Sequence, residues 1–86
     1  MNRETLVRNT LNGIQTIYRF KNNYGASVIK HEYRSHYQLV VIKYDDEDDE
    51  ITYFDFCYDT YIAKDILYGL NQVNLDNILK EIEKLK

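Results

Sequence analysis

The chain has 86 residues, a formal net charge of −3, 44% apolar residues with tyrosine counted among them, no proline, three glycines and one cysteine. One domain spanning 1–86 is therefore expected, near the size at which a single hydrophobic core just suffices, and self-association into a homodimer is one way such a domain gains support. Cys57 alone forms no intramolecular disulfide and no structural zinc site of two or more cysteines.

No charged-then-apolar leader opens the sequence, and its longest apolar run is far below the roughly 20 residues that cross a bilayer. The expectation is a protein of a reducing cytoplasm, with no membrane partner. The charge is unevenly placed. Residues 1–44 carry seven basic groups against Glu4 and Glu32, leaving +5, whereas residues 45–65 carry nine acidic groups against Lys64, leaving −8. Asymmetry of this kind steers charged partners even when the total is near neutral.

In chain order, the first signal is Asn12-Gly13, a dipeptide typical of a type I′ hairpin turn, flanked by Leu11 and Ile14. That turn sets Val7 opposite Tyr18 and Thr5 opposite Phe20; a short helix over 3–10 is the competing reading. After the Lys21-Asn22-Asn23 turn, Ala26–Glu32 reads as extended. The segments Tyr37–Tyr44 and Ile51–Tyr58, dense in aromatic and β-branched residues, are the strongest strand signals. Closed as a hairpin with Tyr44 opposite Ile51, they put Leu39/Phe56, Val41/Phe54 and Tyr37/Tyr58 on one core face.

Asp59 or Thr60 then caps a short helix carrying Ile62, Ile66, Leu67 and Leu70, with Gly69 near its end. A second helix, capped by Asn74 with Asp76 in its first turn, carries an apolar stripe of Leu75, Ile78, Leu79, Ile82 and Leu85. The predicted fold class is α+β, an antiparallel β-meander of four to five strands covered on one face by C-terminal helices.

The acidic run Asp45, Asp46, Glu47, Asp48, Asp49 and Glu50 is the main candidate site. Asp45, Glu47 and Asp49 copy the alternate spacing of a calcium loop, yet Glu50 stands where that loop needs glycine and Phe56 where it needs a bidentate glutamate. No metal and no cofactor are expected. The run reads either as a solvated hairpin tip that keeps two aromatic strands from aggregating, or as an electrostatic contact surface. In the second reading the carboxylates imitate a row of phosphates and occupy a basic groove, as a nucleic-acid mimic does, with Asp55 extending the row and Tyr44 and Tyr53 supplying stiff contact area.

His31, His36 and Cys57 lack a carboxylate or base with a defined orienting role, so no catalytic constellation is visible and enzymatic activity is not expected. The basic half interleaves with aromatic residues, a mixture used by sheets that stack bases. The acidic loop and low isoelectric point argue against direct nucleic-acid binding.

The stretch Asn22-Asn23-Tyr24-Gly25-Ala26-Ser27-Val28-Ile29, followed by Leu39-Val40-Val41-Ile42 and then Tyr58-Asp59-Thr60 with Ile62, Asp65 and Leu70, resembles a family of small phage and prophage accessory proteins of low-GC Gram-positive bacteria. The resemblance spans about residues 14–85. Those relatives usually have a shorter hairpin without the acidic expansion and a proline where Tyr61 stands. It carries no catalytic residues, and it implies a context in which small proteins bind and inhibit or sequester something in the host. The expected function is thus a phage accessory protein that inhibits a host or defence-system protein with a basic surface, an anti-CRISPR or anti-restriction activity being examples. The alternative is a ligand-sequestering or nucleotide-binding module with a tyrosine-lined pocket.

Overall fold

A computed structural model describes residues 3–47 and 50–86, with only the backbone of Arg3. Among these residues six strands form one antiparallel sheet: β1 (Arg3–Thr10), β2 (Gly13–Phe20), β3 (Tyr24–His31), β4 (Tyr37–Lys43), β5 (Asp55–Phe56) and β6 (Leu67–Leu70). A single helix, α1 (Gln72–Glu83), packs on one face, so the fold is α+β. The first four strands follow chain order as a meander, and the outer edge of β4 is shared, β5 pairing Ile42 and Lys43 and β6 pairing Tyr37 and Leu39.

Alternation along the strands separates two cores. Under α1 lie Phe20, Ala26, Val28, Leu39, Val41 and Cys57, met by Leu75, Leu79 and Ile82 from the helix. On the reverse face Ile17, Ile42 and Tyr44 are buried, with Leu6, Ile51 and Phe54 packed against them. The β4–β5 connection therefore folds back over the sheet and closes part of its second side.

Several predicted elements move. Thr10, not Leu11, closes the first hairpin, opposite Gly13, so Val7 pairs with Thr16 and Thr5 with Tyr18; Leu11 and Asn12 form the turn and Leu11 is 95% exposed. Neither turn residue has positive φ, so the turn is not type I′. Gly13 is required instead by close approach, because a Cβ there would run into the Lys30 carbonyl.

The β4–β5 register is slipped by three residues from the expected one, with Ile42 rather than Leu39 opposite Phe56. An odd slip exchanges the faces: Cys57 turns into the helix-side core, while Phe56 and Tyr58 turn out and are 59% and 42% exposed.

The predicted first helix is absent, and Leu67–Leu70 of that segment is strand β6. Gly69, at φ 68°, allows Tyr68 and Gly69 to oppose the single residue Gln38, a bulge that a helical end does not describe. The final helix begins earlier than expected: Asn71 is its N-cap, its side chain accepting from Asn74 N, and Asp76 lies beyond the first turn.

Candidate protein-binding surface

The Asn22-Asn23 turn between β2 and β3 organises both sides of the molecule. Asn22 Nδ2 lies 2.9, 3.1 and 2.8 Å from the carbonyl oxygens of Ile82, Glu83 and Leu85, and so caps the orphan carbonyls at the end of α1. Asn23 takes the left-handed conformation, φ 67°, that asparagine tolerates well. Its carbonyl accepts from Tyr44 N at 2.7 Å and its Nδ2 donates to Asp46, so it holds the start of the acidic connection. The following Gly25 is needed because a Cβ would meet the Tyr18 carbonyl, Ala26 is fully buried, and Ser27 accepts from Gln15 at 2.8 Å. Asn22, Asn23, Gly25, Ala26 and Ser27 are thus each used by the architecture.

Beyond that turn, Tyr44 is 5% exposed; its hydroxyl donates to the Ile51 carbonyl at 2.5 Å and the Arg19 guanidinium sits 4.3 Å from its ring centroid. Tyr44, expected to meet a partner, is used to pin the connection to the sheet. Asp45, Asp46, Glu47 and Glu50 are exposed, and Tyr53 N donates to the Glu50 carbonyl at 3.0 Å in a turn that leaves the Tyr53 ring 66% exposed. Asp48 and Asp49 lie outside the described residues.

Asp55 is exposed and in register with Lys43. Strand alternation places it on the helix side, away from Phe54 and Phe56. Glu50 and Tyr53 are thus held in one turn, and Asp55 stands on the other side of the sheet from Phe54 and Phe56.

The residues missed from sequence are Phe56 and Tyr58. Rings follow one another from Tyr44 to Phe54, Phe56 and Tyr58 at centroid spacings of 6.1, 6.0 and 6.2 Å. The row starts in the reverse-face core and runs out into solvent. Five of the nine tyrosines, Tyr33, Tyr53, Tyr58, Tyr61 and Tyr68, are more than two-fifths exposed.

Nucleophilic chemistry at Cys57 has no support in its surroundings. The thiol is buried and donates to Asp59 Oδ1 at 3.0 Å; burial pushes its pKa up, and the hydrogen bond to Asp59 adds to the shift. The same hydrogen bond holds the exposed Asp59 carboxyl below its ordinary range. Among the described residues no group of three His, Cys, Asp or Glu side chains is placed to hold a metal ion, and no helix is long and apolar enough to cross a membrane.

At the opposite end of the sheet, a cleft of about 340 Å³ is lined by Tyr33, Tyr37 and Tyr68 together with Arg34, His31 and His36. His31 Nε2 lies 2.7 Å from Gln38 Nε2, and His36 Nδ1 lies 3.2 Å from Ser35 Oγ.

No family model matches this chain, and comparison with curated proteins and with solved structures returns no match.

Proposed function

We propose that this protein is a non-catalytic binding domain that engages a protein with a basic surface through its acidic connection and the aromatic strip beside it, and thereby inhibits that partner. The observation that carries the reading is the exposure of Tyr53, Phe56 and Tyr58, at 66%, 59% and 42%, immediately after the carboxylates of the connection. Large aromatic rings in solvent are unfavourable unless a partner covers them, and aromatic anchors ringed by charge are characteristic of interface centres. The resemblance to phage accessory proteins points to a host or defence protein as the target.

The test is affinity capture from a low-GC Gram-positive lysate at low and high salt, with a variant whose six carboxylates at 45–50 are replaced by Asn, Gln and Ser. One protein held by the native chain, released by salt and ignored by the variant is expected; equal capture by both forms contradicts the electrostatic mechanism.

A second reading is favoured by the tyrosine-lined cleft: a small planar or anionic ligand held between Tyr33, Tyr68 and Arg34. Its binding should fall with Tyr68→Ala and be indifferent to the carboxylates, which separates it from the first.

A further inference from the structure

We propose that two copies of this chain associate edge to edge through β1, in antiparallel register about a two-fold axis at Leu6, so that one sheet runs through both. The argument begins with hydrogen-bond parity. Thr10 and Gly13 stand in register across the two-residue turn, and the pair that closes such a turn exchanges its own backbone hydrogen bonds. Bonded and non-bonded pairs then alternate, so Thr10, Arg8, Leu6 and Glu4 direct their N–H and C=O groups at β2. Asn9, Val7, Thr5 and Arg3 direct theirs away from it. Among the described residues β1 pairs with β2 alone, which leaves a long, proline-free edge of unpaired backbone groups.

A second β1 fits this edge in one register. Residues can exchange hydrogen bonds across the new junction only if both point outward, which confines the two-fold axis to a residue position. Centred on Leu6, Thr5 faces Val7 and Arg3 faces Asn9 as hydrogen-bonded pairs. Leu6 then faces its own copy and Glu4 faces Arg8 as non-bonded pairs, the kind whose side chains approach closest. The two-fold axis makes the Glu4–Arg8 pairing twice. Moving the axis to Val7 sets Arg8 against Leu6 and Glu4 against Thr10, and moving it to Thr5 sets Glu4 against Leu6. Only the Leu6 register sets Glu4 against Arg8 across the junction.

Charges on an edge strand ordinarily repel a second copy. Here the opposite signs stand on one face, two residues either side of Leu6, and the same device becomes attractive. Arg8 is already oriented on that face by its 2.7 Å hydrogen bond from Nε to Gln15 Oε1, and Glu4 is exposed. The junction also covers Val7, which is 62% exposed on the other face.

The test is sedimentation equilibrium of the native chain, Glu4→Arg, Arg8→Glu and the double exchange, each checked for native circular dichroism. The native chain is expected at twice its chain mass, with the dissociation constant raised about tenfold or more by either single reversal and brought back to within about threefold by the double exchange. Val7→Pro removes an outward N–H while leaving the β1–β2 hydrogen bonds, and should yield monomers. Leu6→Cys should cross-link to itself on oxidation. A native chain that remains at single-chain mass, a dimer that survives Val7→Pro, or a double exchange that fails to restore association would each overturn the proposal.

Discussion

The two faces of the sheet are closed by different means. On one side α1 lays Leu75, Leu79 and Ile82 across Phe20, Val28, Leu39 and Val41, a regular element over a continuous apolar surface. On the other, among the described residues, an irregular connection packs on Ile17, Ile42 and Tyr44, and the face continues into the polar chain Arg8–Gln15–Ser27 and the outward-running aromatic row. The difference teaches where stability and recognition are separated. A face sealed by a helix has little left to offer a partner, whereas a face sealed in part by a loop keeps aromatic rings and charge at its margin.

The comparison breaks most visibly if the helix side proves expendable. Leu39→Ala, at a fully buried position beneath α1, should lower unfolding free energy by about 2–5 kcal/mol in a denaturant titration and lower the midpoint of the whole transition. Asn22→Ala, which strips the helix end of its long-range cap, should lower stability by about 1–2 kcal/mol and raise hydrogen exchange in the last turn of α1.

On the loop side the effects should be smaller and local. Tyr44→Phe removes the donor to Ile51 and should lower stability by about 0.5–1.5 kcal/mol, with faster proteolysis confined to the connection.

The pH dependence is smaller still. Because the Cys57 hydrogen bond depresses the Asp59 pKa, its contribution is present above the unfolded carboxylate range and is lost as pH falls through the lower folded value. Asp59→Asn should therefore flatten the acid limb of the stability profile, measured by denaturant midpoints at stepped pH. The buried thiol should react slowly with a maleimide at neutral pH until the chain is unfolded.

The helix-side core was legible because a 3.6-residue stripe admits few partners. Its start was misplaced since Asn71 and Asn74 offer the same capping chemistry, and only the backbone decides between them. Segment 62–70 carries helical spacing of apolar residues, yet the free edge of β4 supplies hydrogen-bonding partners that local pattern does not register. The aromatic run 54–58 looked like core by composition. Its register depends on how the long connection folds over Ile17 and Ile42, a non-local matter. In the candidate site, Asp45, Asp46, Glu47, Glu50 and Tyr53 were legible as exposed groups. Phe56 and Tyr58 were not, because a three-residue slip decides which way they face.

The measurement that bears most directly on the separation of the two faces is hydrogen–deuterium exchange of the chain alone and saturated with its captured partner. The account predicts new protection across residues 50–58, with α1 unchanged. Protection confined to α1, with the aromatic strip still exchanging freely, would contradict it.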